Sequence, residues 1–367
     1  MIRKLTGNVF RQLFVGFLFV SMALTAIIVL TQSLRFVEMI VNQGATVGML
    51  FQLTVLLVPK FLPIIFPITL FLVIMFFYSK LTADRELVVM SAAGLSPLQL
   101  AKPAIILALI VTMLTYAINI FLLPESFQIF TKLKWHIRHN ISQVLLEEGI
   151  FNSVGNKTTV YIRERTEGNV LSGIFVHDET DPSAPVTIMA KRGSIVETSA
   201  GARIVMFEGS RQVLNKATND YSILFFDRYT LIMDDRSEAR VSQRPDRKEM
   251  SLGELFNVEN HPMIEERDHS QYIVEAHKRL TSPLTSIAFS LIGLFCILSG
   301  GFTRRNQSRR VIVATGVVIV LQISILGVES ASARNLAFAP SMYLILIVPI
   351  IAGMFLLMKP PRLSFLN

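Results

Sequence analysis

The sequence predicts an α-helical membrane protein with six transmembrane helices, three before and three after an inserted extracytoplasmic β-jellyroll or sandwich domain. Three observations lead to this fold class. The mean hydropathy is +0.51 and only 17% of residues are charged, which is too apolar for an ordinary soluble domain. Six apolar stretches are long enough to cross a bilayer. Between the third and the fourth of them lies a long polar segment with β-strand patterning.

Each of the six stretches is long enough for a membrane span, which needs roughly 17 to 25 mostly apolar residues. The first is too long for a cleaved signal peptide and no small-residue cleavage site follows it, so we interpret it as a permanent anchor. The predicted spans are residues 13–30, 50–78, 103–123, 280–298, 311–328 and 340–358.

The formal net charge of +8 is distributed as a membrane topology signal. If the six spans alternate, nearly all cations of the short segments fall on one side, which the positive-inside rule assigns to the cytoplasm. This placement puts both termini and the 80–102 loop in the cytoplasm and disfavours nucleic-acid binding. The cations on that side are Arg3, Lys4, Arg11, Lys80, Arg85, Lys102, Arg304, Arg305, Arg309, Arg310, Lys359 and Arg362.

The polar insert alternates apolar and polar residues in about seven short runs separated by turn residues, a pattern typical of a sandwich or jelly roll. We divide the chain into residues 1–134 (spans 1 to 3), 135–260 (β domain) and 261–367 (connecting helix and spans 4 to 6). The inward residues would form a packed core, or splay apart into an apolar slot. They are Val160, Ile162, Ile174, Val176, Ile204, Met206, Ile223 and Phe225.

Two helical features flank the β domain. Ser251 and Glu254 have the spacing of a capping box, which predicts a helix start. Glu275 and Arg279 lie one helical turn apart ahead of the fourth span, and we interpret them as a solvated surface pair.

The sequence lacks the residues that several classes of function require. No Asp or Glu lies within the six predicted spans, so proton or ion coupling is not expected. There is no GxxxxGK[ST] loop and no GxSxG elbow, and the histidines lack metal-site spacing. "LSGG" at residues 298–301 ends a membrane span and is not a nucleotide signature. We expect no catalytic residues, no metal and no cofactor.

The stretch "KLTADRELVVMSAAGLSP" predicts a short helix, residues 83–94, between the second and third spans. Thr82 could cap it, and Gly94 could end it. Its first turn carries Asp84, Arg85 and Glu86. Leu87, Met90 and Gly94 share a side suited to a partner's groove. An interfacial helix lying on lipid, or a simple turn, explains the pattern equally well.

This stretch resembles the cytoplasmic coupling helix of the lipopolysaccharide export permeases, the LptF/LptG (YjgP/YjgQ) family. Glu86, Met90, Ala92, Gly94 and the following Leu95-Ser96 fit the family's pattern. "VPKFLPIIFPITLF" before it, "EAHKRLTSPL" before the fourth span and the three-plus-three plan also match. The resemblance is specific at residues 58–97. In the β domain, only the overall plan agrees with the family.

The resemblance implies a permease subunit, more similar to LptF, of an ABC exporter in the bacterial inner membrane. Its implied partners are the homologous permease LptG, the cytoplasmic ATPase dimer LptB, the periplasmic bridge protein LptC and lipopolysaccharide. Glu86 would meet a basic groove on the ATPase, with Asp84 and Arg85 flanking it. A non-transport membrane scaffold with a periplasmic β domain is the alternative.

Two cations and three prolines are the candidate substrate-handling residues. Arg35 and Lys60 are the basic residues placed near the outer headgroup level, where lipid phosphates lie; snorkelling explains Arg35 as well as phosphate contact does. Pro59, Pro63 and Pro67 recur every four residues in the second span. They favour either a bent span or a deformable wall beside a lateral entrance.

Overall fold

The chain divides into two compact units, each described here by itself. The first comprises Met1–Leu34, Phe51–Phe130 and Pro245–Asn367, and the second comprises Arg35–Leu50 and Thr131–Arg244. The structure is a computed structural model that describes residues 2–43, 47–141, 148–154, 157–166, 170–179, 181–198, 201–216, 220–232, 245–261, 263–299 and 307–358.

Long apolar helices dominate the first unit. Leading up to the sheet are α1 (Ile2–Gln43), α2 (Val47–Ala83), α3 (Glu86–Ala92), α4 (Pro97–Ala117), a π-helical turn (Ile118–Leu122) and α5 (Leu123–Ile141). After the sheet come α6 (Leu252–Phe256), a 3₁₀ turn (Val258–Asn260), α7 (Glu266–Thr281), α8 (Leu284–Leu298), α9 (Gln307–Arg334), a 3₁₀ turn (Leu336–Phe338) and α10 (Ala339–Met358).

Five of the described helical stretches are long and apolar enough to cross a membrane. A sixth span arises when α7 and α8, which meet at a 47° bend, are taken together. Helix α8 has 15 residues and therefore rises only about 22 Å. That length is shorter than the roughly 30 Å hydrocarbon core of a bilayer, so α8 alone is too short for a crossing.

Helix α8 lies at the centre of the helical unit, and small residues allow its neighbours to approach closely. A Cβ added at Gly293 would stand 3.1 Å from Met75 Sδ of α2. A Cβ at Gly353 of α10 would stand 2.9 Å from Leu291 Cβ of α8. Because lipid offers no hydrophobic drive for helix association, such close packing supplies much of the cohesion of a membrane bundle.

The three prolines of α2 do not interrupt it. Pro59, Pro63 and Pro67 all lie inside the continuous helix Val47–Ala83, and Pro59 and Pro67 are buried. Each proline removes one backbone donor from the helix. Within a membrane, such freed carbonyls are satisfied by polar groups of neighbouring helices, by Ser or Thr side chains or by local adjustments of the helix.

The second unit contains one six-stranded antiparallel sheet whose described strands pair in sequence order. This arrangement is a meander rather than the two stacked sheets of a sandwich, and six strands are described where about seven were predicted. The strands are β1 (Phe151–Val154), β2 (Thr158–Thr166), β3 (Val170–Asp178), β4 (Val186–Thr198), β5 (Gly201–Asn215) and β6 (Asp220–Ile232).

One rung of the sheet lacks regular pairing in four consecutive strand pairs, and we call this rung the crease. It consists of Arg163, Gly173, Lys191, Glu208 and Asp227, one residue from each of β2 to β6. Gly173 and Glu208 have positive φ angles there, 65° and 51°. The register is the same on both sides of the crease, so the strands continue through it while their backbone changes direction.

Side-chain alternation slips by one residue at the crease. Successive inward residues are three apart instead of two, and two consecutive residues face outward between them. The inward pairs are Leu171 and Ile174, Ala190 and Gly193, Met206 and Gly209, and Phe226 and Tyr229. Both halves of the sheet therefore contribute to one core although their alternation is out of phase.

Glycine is required on the inner side of this bend. A Cβ at Gly209 would stand 2.2 Å from Met189 O and 2.6 Å from the Phe226 ring, and one at Gly193 would stand 2.4 Å from Ile174 Cδ1. On the outer side, Glu208 accepts hydrogen bonds from Arg192 at 2.6 Å and from Lys191 at 3.3 Å. These bonds hold the pKa of Glu208 below its usual value.

Six of the eight predicted core residues of the β domain are buried, and two predictions are wrong. Val160, Ile162, Ile174, Val176, Ile204 and Met206 are all at most 2% exposed. Ile223 and Phe225 are 48% and 80% exposed. Strand β6 is apolar on both faces, and its partly buried residues Phe226, Tyr229 and Leu231 are the ones that pack on the core.

We predict that Gly209→Ala destabilises the sheet by about 3 kcal/mol, the upper end of typical overpacking costs, because the atom that the new Cβ meets is backbone. Thermal unfolding of the purified full chain, with limited proteolysis of the β domain, measures the effect. Ser222→Thr is the control, since it adds one carbon at an exposed position of the neighbouring strand. Equal stability of the two variants would contradict the tight inner bend.

Candidate functional site

The predicted coupling segment begins with a two-residue turn after α2. Helix α2 continues to Ala83, so the prediction that Thr82 caps the next helix is wrong. The Thr82 hydroxyl donates instead to Tyr78 O at 2.8 Å, within its own helix. Arg85 precedes α3 in the left-handed region with φ 60°, and no side chain caps α3. The helix occupies Glu86–Ala92 within the predicted range 83–94.

Gly94 ends α3 as predicted. Its φ is 89°, and its N–H donates to Ser91 O while Leu95 N–H donates to Met90 O. This pair of bonds is a Schellman motif, which satisfies the last carbonyls of a helix and favours glycine at the left-handed position. The next helix, α4, starts immediately with a capping box between Ser96 and Gln99. The segment is therefore sharply bounded at both ends.

Leu87 and Met90 face the chain's own helical core, which corrects the prediction that they form the side of the helix that fits into a partner's groove. Leu87 is 1% exposed and Met90 is 8% exposed, and both belong to the core cluster of the helical unit. A seven-residue helix has two apolar sides here, and sequence periodicity could not tell which of them packs internally. The exposed side carries Asp84, Arg85, Glu86, Val88 and Val89.

Buried contacts tie this segment to the membrane helices. The Tyr78 hydroxyl donates to Leu100 O at 2.7 Å, joining the end of α2 to the start of α4. Gln307 of α9 donates to Ser79 O. A cleft lined by Thr6, Val9, Met90, Leu95, Gln99, Leu100 and Pro103 separates α3 and α4 from the beginning of α1. Leu87 and Met90 of α3 therefore share one packed core with residues of α2 and α4.

A second group of residues brings cations and aromatic rings together. Lys60 Nζ stands 5.3 Å from the centroid of the Phe61 ring, and Lys248 Nζ stands 5.6 Å from the centroid of Phe127. The two lysines neighbour each other, and burial together with the charge of Lys60 lowers the pKa of Lys248. The other predicted substrate residue, Arg35, lies in α1, but its side chain is outside the described part of the chain.

Arg279 is buried rather than solvated, so the prediction of a surface pair with Glu275 is wrong. It is 1% exposed, and its guanidinium donates to Met250 O at 2.7 Å, Arg247 O at 2.9 Å and Lys248 O at 3.1 Å. Glu275 Oε1 stands 3.8 Å from its Nε. A buried arginine is stable only with such compensation. The capping box of Ser251 and Glu254, by contrast, is confirmed.

Local sequence patterns carry little information about the roles of Lys248 and Arg279. Lys248 stands in a polar run, "RPDRKEM", that is typical of a solvated connection. Arg279 and Glu275 have the spacing of an ordinary surface pair. Only the tertiary fold, which returns residues 245–250 to the side of α7, reveals that both residues belong to one arrangement with Lys60.

Comparison with known proteins gives a consistent family assignment. The profile of "Lipopolysaccharide export system permease LptF/LptG" matches residues 8–359. An uncharacterized protein of Rickettsia prowazekii is 25% identical over 342 residues, 92% of this chain and 94% of that protein. The lipopolysaccharide export system permease proteins LptF of Escherichia coli and of Shigella flexneri are each 26% identical over 206 residues, 55% of this chain and 56% of theirs.

We predict that Arg85→Gly stabilises the chain by up to about 1 kcal/mol, because glycine adopts the left-handed region without the cost that other residues incur. Arg85→Val should destabilise it by about 1 to 2 kcal/mol, since a β-branched side chain fits that region worst. Thermal unfolding of the purified protein measures both changes.

The matched control is Ala93→Gly, because Ala93 is also exposed at an end of α3 but has φ −74°. Glycine should bring no gain there. Equal responses at positions 85 and 93 would contradict a left-handed Arg85.

Proposed function

Because the chain belongs to the lipopolysaccharide export permease family LptF/LptG, we propose that it is the LptF-type permease subunit of an ATP-driven lipopolysaccharide exporter. It works with a homologous LptG permease, a cytoplasmic LptB ATPase dimer and the periplasmic bridge protein LptC. The family match across residues 8–359 supports the transport role. The similarity to LptF proteins supports the choice of LptF over LptG. The observation that carries the coupling proposal is α3, exposed on one side and anchored in the core on the other.

The proposed topology follows the charge distribution. Both termini and the α2–α4 connection lie in the cytoplasm, where the short segments carry most of their cations. The sheet then lies in the periplasm, where the six-stranded meander, bent at the crease around its buried inner face, takes the place of the predicted jelly roll. The chain crosses the inner membrane six times, with α7 and α8 together supplying the fourth crossing.

The exposed side of α3 is the proposed ATPase contact. Asp84 and Glu86 offer carboxylates to a basic groove, with Arg85 beside them, and Val88 and Val89 offer apolar contact. Val89 is 67% exposed and is therefore available for contact with a partner. Leu87 and Met90 transmit motion of this short helix to the bundle, because they connect the helix to the bundle core.

The substrate path lies at the end of the helices that is opposite to α3. Lys60 and Arg35 receive the phosphate-bearing headgroup near the outer surface of the membrane. Pro59, Pro63 and Pro67 leave carbonyls of α2 without intrahelical donors, which makes this wall easier to deform when lipid enters. The periplasmic sheet accepts the acyl chains and passes the lipid towards LptC.

We predict that Glu86→Arg lowers co-purification of the ATPase at least about ten-fold, because charge reversal replaces an attractive contact with repulsion inside the docking groove. The measurement is the ATPase recovered per permease when all subunits are co-expressed. Glu266→Arg is the matched control, because Glu266 is an exposed first-turn glutamate of α7. It should leave recovery unchanged.

Full ATPase recovery with Glu86→Arg would overturn the assignment of α3 as the contact. Absence of any ATPase from the wild-type preparation would favour the alternative function, a membrane scaffold or assembly protein. Equal losses from both variants would show a general effect of charge reversal and would also contradict the proposed contact.

A further inference from the structure

Side-chain hydrogen bonds hold the backbone segment that carries Lys248 in place. The backbone carbonyls of residues 245, 247, 248, 249 and 250 all accept hydrogen bonds from side chains. Tyr272 donates to the first at 2.9 Å, Gln128 donates to the fourth at 2.8 Å, and Arg279 serves the other three. The donors come from α5 and α7, so two helices hold this segment.

The hydrogen bonds to residues 245–250 keep Lys248 next to Lys60, which lies in α2. The Lys248 ammonium is half-buried beside Phe127, and Lys60 approaches it from α2. Two carboxylates nearby, Asp246 and Glu275, attract Lys248 and oppose the repulsion from Lys60, and each also has another partner. Asp246 Oδ1 accepts the backbone N–H of Lys248 at 3.0 Å, and Glu275 faces Arg279. A further anion between the two braced ammonium groups would stabilise the pair more.

We propose that Lys60 and Lys248 together form a binding site for a phosphate group of a lipid headgroup, with Phe61 and Phe127 beside it for the apolar part of the same molecule. Lys248 is a binding residue beyond those of the proposed function, and the inference rests on that function for the identity of the lipid. A doubly charged phosphate monoester suits two ammonium groups because each can donate to a different oxygen.

The position of the pair along the helices fits a headgroup. Lys60 lies 20 residues before Lys80 in α2, which corresponds to roughly 30 Å of helix rise. That distance is about the thickness of the hydrocarbon core. With Lys80 at the cytoplasmic surface, Lys60 stands at the outer surface, where lipid phosphates are found.

The test is the affinity of the purified exporter complex for fluorescent lipopolysaccharide and for the same lipid after chemical dephosphorylation. Lys248→Gln should weaken binding of the phosphorylated form about ten-fold, the effect of one lost charge-assisted hydrogen bond. It should leave binding of the dephosphorylated form unchanged. Lys248→Arg, which keeps the charge, should retain affinity within about three-fold.

Arg247→Gln is the matched control, because it removes the same charge from the adjacent, exposed side chain and keeps the carbonyl that Arg279 uses. It should leave both affinities unchanged. Losses from Arg247→Gln equal to those from Lys248→Gln would overturn the site, because they would show a diffuse charge effect. An undiminished affinity of Lys248→Gln for the phosphorylated lipid would overturn it as well.

Inorganic phosphate distinguishes a headgroup site from a site for the free anion. Millimolar inorganic phosphate should not displace the lipid, and displacement would overturn the headgroup assignment. A different outcome refutes the proposed function itself: a wild-type complex that binds neither lipid form. Wild-type binding that depends on phosphate but not on Lys248 refutes this inference alone.

The pH dependence gives a second readout. Burial and the Lys60 charge lower the pKa of Lys248, whereas Asp246 and Glu275 oppose the shift. A lysine with a lowered pKa loses its charge earlier as pH rises, so wild-type affinity should decline at a lower pH than for an ordinary lysine. Lys248→Arg should remove this decline, and an identical pH profile for both would contradict the role of Lys248.

Discussion

The burial of Arg279 is the constraint on which much of the helical unit depends. A guanidinium that is removed from water needs compensating partners. Here three backbone carbonyls accept hydrogen bonds from Nη1 and Nη2, and the Glu275 carboxylate places an opposite charge 3.8 Å from Nε, which itself has no hydrogen-bond partner among the described residues. The same bonds fix residues 245–250 against α7. Asn119 of the π-helical turn donates to Arg279 O and Ser282 at the bend between α7 and α8. A single buried side chain thus connects the segment that follows the sheet to the entry of the central membrane helix.

The connection between α2 and α4 follows a different principle, that of a short helix with two distinct faces. Leu87 and Met90 pack inward and leave the acidic first turn and two valines exposed. Its ends are set by a left-handed Arg85 and by the Schellman motif at Gly94. A helix of seven residues is too short to be stable by itself. Its shape therefore depends on the bundle, and any displacement of it must be shared with the bundle.

Features encoded by local chemistry could be predicted from the sequence, whereas features decided by distant contacts could not. The apolar spans, the capping box of Ser251 and the helix end at Gly94 each depend on a few adjacent residues. The prediction for Thr82 failed because its hydroxyl has a nearer acceptor within α2. Leu87, Met90 and Arg279 were assigned to exposed surfaces because helical periodicity does not say which neighbour covers a face. Ile223 and Phe225 were misplaced because strand alternation does not reveal where it slips.

The crease in the sheet has a consequence for how this domain can vary in length. Side-chain alternation has a different phase on either side of it, so removing one residue from a single strand at this line, while its neighbours keep the crease, would turn the inward residues of half of that strand outward. We therefore expect the sheet to tolerate insertions and deletions best at the hairpin tips, because the three-residue spacing of apolar positions must coincide in neighbouring strands at the same rung. That recurring offset is a signature by which the bent sheet can be recognised in sequences too divergent to align.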